Sequence, residues 1–323
     1  MRAIHLAVAI AAGLLPAAAL AQDYPSRPVL FVNPYASGGG TETMARLLGR
    51  KLEQRLGKPF VIESRPGAGT SIGATFVAKS PPDGHTILLA TSTTMAINVS
   101  IYKSLSYDPA KDLTPVALFS DVPFILAVNP ALPVHSIDDL VKLAKSTPGG
   151  LAYASNGHGG AGHLYAELLK SMAGIEMTHV PYKGLAPALN DVVAGHVALT
   201  FGDFGTALPL VKAGRLRALG VTTKDRVGAA PEIPPLNEAG LPGYAASSWQ
   251  MVAAPAGIPR PILDKLNGEL RAILAEPDVR EDFINRGVVP VVSPLPDELQ
   301  HFVRTEIVRW SKVVEQAGAA GSQ

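Results

Sequence analysis

Three loops concentrate the residues that can hold a small molecule: Pro34-Tyr35-Ala36-Ser37-Gly38-Gly39-Gly40-Thr41, Arg65-Pro66-Gly67-Ala68-Gly69-Thr70-Ser71 and Ser155-Asn156-Gly157-His158-Gly159-Gly160-Ala161-Gly162. All are rich in glycine and small hydroxyl residues. Glycine lets a backbone approach a ligand closely, and successive N–H groups cradle a carboxylate without any Lys or Arg. Loops of this kind gain force where they open helices, because a helix N-terminus offers free N–H groups and the positive end of its dipole. The chemistry they suit is non-covalent capture of an anion.

Other chemistries compete for the same residues. Gly157 to Gly162 fits G-x-G-x-x-G, a dinucleotide fingerprint. That fingerprint needs an acid at the end of the next strand, and Glu176 precedes the expected strand. Gly69-Thr70-Ser71-Ile72-Gly73 fits the G-x-S-x-G elbow of serine hydrolases. There the strand must run almost directly into the Ser, whereas Glu63 to Thr70 intervenes, and Ser71 reads better as an N-cap for a helix beginning at Ile72. His158 and His163 are five apart, off a common helical face and without an acidic cluster, so no metal is expected. The absence of cysteine removes thiolate nucleophiles and thiolate metal sites.

The elements that must position these loops follow from apolar periodicity. It predicts strands over 29–32, 60–62, 86–90, 124–128, 151–154, 177–180 and 216–221. Helices are predicted over 41–56, 72–78, 137–145, 163–173, 187–194, 261–275 and 296–313. This βαβα rhythm argues for parallel sheets covered by helices, with ligands bound outside the carboxyl ends of the strands.

Residues 1–21 read as a secretory signal peptide, with Arg2 as the positive region, an apolar run from Leu6 to Leu15, and cleavage after Ala21. No later segment approaches the roughly 20 uninterrupted apolar residues of a transmembrane helix. The protein is therefore expected in the periplasm. Loss of Arg2 leaves basic and acidic residues equal in number, so there is no electrostatic footprint for nucleic acid. With 47% apolar residues, the chain can build sizeable cores without disulfides.

Read in order, the motifs resemble the Bug family, the extracytoplasmic receptors of tripartite tricarboxylate transporters. The matching segments are Pro34 to Gly39, Arg65 to Gly69, Pro82-Asp83-Gly84, Tyr107-Asp108-Pro109 with Lys111-Asp112, Tyr153-Ala154-Ser155, His179-Val180-Pro181-Tyr182-Lys183-Gly184, Ala213 to Leu219 and Glu238 to Gly243. The resemblance implies an α/β type II periplasmic-binding fold, two domains joined by two hinge crossovers with a ligand cleft between them. Domain 1 would comprise 22–123 plus 245–323 and domain 2 would comprise 124–244, with crossovers near 122–124 and 244–249. It implies capture of a small mono-, di- or tricarboxylate or amino acid by domain closure, and delivery to the membrane components of a tripartite transporter. Neither a cofactor nor catalysis is implied, and the protein is expected to act as a monomer. Presentation of the ligand to a sensor kinase is the alternative within the binding class; an exported hydrolase using Ser71 is the alternative outside it.

On this resemblance Tyr35, Ala36, Ser37, Gly38, Gly39 and Thr41, with Thr91, Ser92 and Thr93, form one wall of the cleft. Ser155, Asn156, Gly157, His158, Gly159 and Gly160, with Tyr182, Lys183 and Gly184, form the other. Two roles are open to Lys183, pairing with a second carboxylate or covering the domain edge with its head in water. Asp203 could read a ligand amine or hydroxyl, or serve as a hydrogen-bonded turn acid. The sequence departs from the family pattern at Glu42, Ser64, Val99 and Gly160, where Asp, Asn, Pro and Ser are usual.

Overall fold

In the computed structural model, residues 24–182 and 184–323 are described; the expected signal peptide with its cleavage site, and Lys183, lie outside them. The chain begins with β1 (Val29–Asn33), α1 (Gly40–Leu56), β2 (Phe60–Ser64), α2 (Ser71–Ala78), β3 (Thr86–Thr91), α3 (Asn98–Ile101) and β4 (Leu113–Val122). It continues through β5 (Phe124–Val128), α4 (Ile137–Ser146), β6 (Leu151–Ser155), α5 (Ala161–Ala173), β7 (Met177–Pro181), α6 (Leu185–Ala194), β8 (Leu199–Asp203), α7 (Phe204–Lys212) and β9 (Arg217–Val221). Then come β10 (Ser248–Pro255), α8 (Arg260–Ala275), α9 (Pro277–Asn285), β11 (Val289–Pro290) and α10 (Pro296–Gln316).

These strands form two sheets, ordered β11-β4-β10-β3-β1-β2 and β7-β6-β8-β5-β9. The chain leaves the first sheet at Val122, passes Pro123 and enters the second at Phe124; it returns between β9 and β10. The result is a pair of α/β lobes linked by two crossovers, the expected fold class.

The expectation of parallel sheets needs correcting. β1 pairs in parallel with β2 and β3, and β6 with β7 and β8. However, β10 is antiparallel to β3 and β4, and β5 is antiparallel to β8 and β9. The crossovers explain this. β10 enters its sheet beside β4, the strand that leaves it, and β9 leaves its sheet beside β5, the strand that enters it, so each pair runs in opposite directions.

Strands read as continuous apolar runs because helices cover both of their faces. Successive side chains alternate between faces, so in β3 Ile87 and Leu89 join Leu48, Leu52 and Leu266, while Leu88 and Ala90 face the other way. In β5, Ile125 and Ala127 pack with Ala188, Leu189 and Phe204. Their neighbours Leu126 and Val128 belong to a cluster that continues from one lobe into the other through Trp249, Met251 and Trp310.

Helix α10 spans this seam, packing on β4 and α3 on one side and on α5 on the other. Its buried Glu306 accepts hydrogen bonds from both indoles, Trp249 Nε1 at 2.7 Å and Trp310 Nε1 at 3.0 Å, and from Arg309 at 3.2 Å. No helix among the described residues is long and apolar enough to cross a membrane.

Candidate functional site

Two helices, α4 and α7, begin with capping side chains, whereas α8 and α9 begin at Pro259 and Glu276 without one. Ser136 accepts from Asp139 N–H at the start of α4, and Asp203 accepts from Thr206 N–H at the start of α7. By contrast α1, α5 and α6 begin at Gly39, Gly160 and Gly184, which have no side chain to give. The first intrahelical bond of α1 runs from Thr43 N–H to Gly39 O, and that of α5 from Leu164 N–H to Gly160 O. The amides of Gly40, Thr41 and Glu42 therefore lack a carbonyl partner inside their helix, as do those of Ala161, Gly162 and His163. These ends follow β1, β6 and β7 and carry the positive pole of the helix dipole.

In the first lobe a buried hydroxyl network supports the wall. Tyr35 Oη lies 2.8 Å from Thr91 Oγ1, and Thr94 Oγ1 donates to Thr70 Oγ1 at 2.9 Å. Asn98 Nδ2 donates to Gly69 O at 2.7 Å, and the Tyr107 hydroxyl to Thr94 O at 2.6 Å. Burial pushes the Tyr35 phenol above its ordinary range. Thr70 sits at φ +81, a left-handed conformation that costs a non-glycine residue about 1–3 kcal/mol and persists only where neighbours hold it. Ala36, Ser37, Gly38 and Gly39 are exposed, Thr41 and Thr93 are half-buried, and Thr91 and Ser92 are buried. Of the departures here, Ser64 accepts from Asn33 Nδ2 at 3.1 Å, tying the ends of β1 and β2. Glu42 accepts from Gly38 N–H at 2.6 Å and from Arg46. The Gly38 bond, with Arg46, holds its carboxyl below the usual range. The first loop thus already presents one amide to a carboxylate.

In the second lobe Ser155 Oγ accepts from Gly157 N–H at 3.1 Å and lies 2.6 Å from His179 Nε2. Asn156 Oδ1 accepts from Gly162 N–H at 3.2 Å. A Cβ at Gly160 would come within 2.5 Å of that oxygen, so the glycine departure suits this loop. Buried His163 accepts from Gly159 N–H on Nδ1 at 3.1 Å. Its ring stacks on His179 with centroids 4.1 Å apart, and His158 stands edge-on to His179 at 4.8 Å. Burial pushes both His163 and His179 down to about 4, leaving them neutral at pH 7. Spacing along one helix was the wrong test for these residues. His158 is in a loop, and the partner that joins it to His163 is His179, which sequence reasoning did not single out as a candidate.

Two further residues expected at the site, Tyr182 and Asp203, make hydrogen bonds within their own lobe. Tyr182 donates its hydroxyl to Asp191 Oδ2 at 2.5 Å, and its ring packs on the outer core of this lobe. Asp203 accepts from the Thr206 amide at 3.0 Å and hydroxyl at 2.6 Å, which makes it the cap of α7 and realises the turn-acid reading. Ser71 is the first residue of α2, so the N-cap is Thr70 and not Ser71. Buried Ser71 Oγ takes a long contact from Asn98 Nδ2 at 3.4 Å, and no described histidine bonds it as a general base would.

The two lobes touch where Gly159 meets Ile101 of α3. Gly159 lies at φ +69, and a Cβ there would sit 2.6 Å from Ile101 Cδ1. Replacement by Val combines a left-handed β-branched residue with steric overlap. Gly159→Val is expected to lower stability by about 2–4 kcal/mol in urea unfolding. Adding Ile101→Ala should relieve the overlap and leave the conformational cost. An unchanged midpoint in the single variant would show that the loop does not hold this conformation.

Two lobes, two crossovers and a glycine-started helix after a strand of each lobe are the architecture of a bilobed solute-binding protein. The chain belongs to the family described as the tripartite tricarboxylate transporter family receptor, whose model matches residues 44–319. It is 38% identical over 315 residues to protein BugT of Bordetella pertussis, covering 97% of this chain and 96% of that one. It superposes on Rpa4515 of R. palustris, solved with adipate, with a TM-score of 0.81, 41% identity, and coverage of 92% and 99% of the two chains. For MatC of Rhodopseudomonas palustris with bound malate the TM-score is 0.75 and the identity 34%, covering 90% of this chain and all of that one, 100%. The family is one of substrate-binding receptors and not of enzymes, so the hydrolase reading through Ser71 is set aside.

Proposed function

We propose that this protein is a periplasmic receptor for a small dicarboxylate, which it captures by closing its lobes and delivers to the membrane components of a tripartite transporter. The observation that carries the reading is the pair of glycine-started helix N-termini, α1 in one lobe with the amides of Gly40, Thr41 and Glu42, and α5 in the other with those of Ala161 and His163, the Gly162 amide being held by Asn156. A carboxylate would dock on the free amides of one helix, and closure would bring up those of the other. Tyr35, Ser37, Thr41, Thr91 and Ser92 would complete the first wall, and Ser155 to Gly160 the second. Relatives solved with adipate and malate support a ligand with two carboxylates. The lobes would divide at 123/124 and 244/245, with the crossovers as hinges. Closure needs only a ligand that binds the closed form better than the open one.

The test is a thermal-shift series with adipate, malate, and mono- and tricarboxylates, together with amino acids, on the chain from residue 22. A ligand confined to the native state adds about 2.7 kcal/mol of stability at 100 times its dissociation constant. Dicarboxylates should give the largest dose-dependent shifts and be recovered unchanged. A series in which no acid raises the melting temperature overturns the carboxylate reading.

A further inference from the structure

At the second wall, which contributes His158, three histidines converge from three segments. His158 lies in the loop after β6, His163 in the first turn of α5 and His179 in the middle of β7, with one nitrogen of each within 4.8 Å of the others. A cavity of about 420 Å³ opens beside them, bordered by Glu167 and Lys170 and by the C-terminal segment around Ala317 and Ala319. We infer that His158, His163 and His179 form a binding site for one transition-metal ion of the imidazole-seeking kind, with Zn²⁺ as the reference case.

His179 argues for it most directly. Its Nδ1 is buried and has no hydrogen-bond partner, whereas a buried polar atom is nearly always satisfied. Its Nε2 lies 2.6 Å from Ser155 Oγ. A metal on Nδ1 places the ring proton on Nε2, where Ser155 accepts it. This is the arrangement in which an outer hydrogen bond fixes the tautomer and direction of a ligating imidazole. His158 is exposed and sits between two glycines, so its ring is free to turn inward.

The donor set decides the class of ion. Three imidazoles suit Zn²⁺, Cu²⁺ or Ni²⁺ over Mg²⁺ or Ca²⁺, and three protein ligands leave a position for water or an outside ligand. Glu167 is not a fourth ligand, since it accepts from the Tyr153 hydroxyl at 2.6 Å and from Lys170 at 3.0 Å. That same ion pair neutralises the nearest cation. Lys170 also lies 3.7 Å from Glu176.

Uptake requires a local rearrangement. Zn–N bonds of about 2.0–2.1 Å put tetrahedral ligand nitrogens about 3.4 Å apart, so the three must draw together. His163 accepts Gly159 N–H on Nδ1, so its free ring holds the proton on Nε2. Ligation through Nε2 moves that proton to Nδ1, breaks the Gly159 bond and tilts the ring off His179. No net proton is released by this residue. The movement is transmitted to Gly157–Gly160, the loop of the proposed cleft.

The experiment is isothermal titration of the chain, freed of purification tags and chelator-treated, with ZnCl₂ in the absence of any carboxylate. This separates it from the receptor reading. One equivalent is expected to bind. His158→Ala and His179→Ala should each weaken binding at least tenfold, with His158→Ala as the variant least able to disturb folding. Co²⁺ in place of Zn²⁺ should show the visible bands of a tetrahedral site, lost in His158→Ala. Absence of a one-equivalent site overturns the assignment, and so does binding unchanged within threefold in His158→Ala, which would place the ion on other histidines.

Discussion

Glu306→Ala is expected to cost about 3–5 kcal/mol of stability, the range for removing one member of a buried charged network. The carboxylate is the shared acceptor for Trp249 Nε1 and Trp310 Nε1 and also binds Arg309. Truncation strands two indole N–H groups in a buried seam, and each unsatisfied donor carries its own desolvation penalty. One partial compensation operates. Burial raises the carboxyl of nearby Asp121 above its usual range, a hydrogen bond from Ser247 opposes this, and the Glu306 charge adds to the rise. Removing Glu306 relieves that repulsion. Glu306→Gln keeps an oxygen for the indoles but turns its NH₂ toward Arg309, and should lose less than half as much. Scanning calorimetry should show the Ala variant melting about 10 °C lower, given about 2–4 °C per kcal/mol for a chain of this size. A drop of under 2 °C would mean that the indoles find other acceptors.

Gly40→Pro and Ala161→Pro should weaken dicarboxylate binding about 10- to 100-fold each while leaving the fold intact. Both residues occupy the first helical position, where a proline is well accommodated because the N–H it lacks has no helical partner. The residues ahead are already extended, Gly39 at φ −88 and ψ 171 and Gly160 at φ −70 and ψ 161, as a following proline requires. Around Gly40 a Cβ meets nothing within 4 Å. Stability should stay level or rise by about 0.4–1 kcal/mol. What disappears is one amide in each lobe, and a hydrogen bond to a charged group is worth about 1.5–3 kcal/mol. Calorimetric titration with the dicarboxylate giving the largest thermal shift measures it. Unchanged affinity in both variants would take the ligand off these helix ends.

Much of the scaffold is legible in the chain because apolar runs and helical spacing are local. The predicted strand at 60–62 became Phe60–Ser64, and the predicted helix at 137–145 became Ile137–Ser146. The elements not read from the sequence have weak local signals. β10 is Ser-Trp-Gln-Met-Val-Ala-Ala-Pro, poor in β-branched residues, and becomes a strand because β3 and β4 flank it. α7 contains Pro209, which breaks a helical pattern, yet Asp203 caps it and Phe204 anchors it in the core.

The binding surface divides the same way. Glycine content and motif order were enough to single out three loops and to set two of them at helix starts, because backbone access and helix polarity depend on residues adjacent in the chain. Only the tertiary structure decided which side chains face those loops. It turned the Tyr182 hydroxyl toward Asp191, committed Asp203 to a helix cap and set Glu42 on the Gly38 amide. It also brought His179 from β7 against His158 and His163. Such pairings depend on strand register and on the path of the crossovers. A hydrogen bond or a ring contact acts over a few ångströms, and only folding brings residues distant in the chain that close.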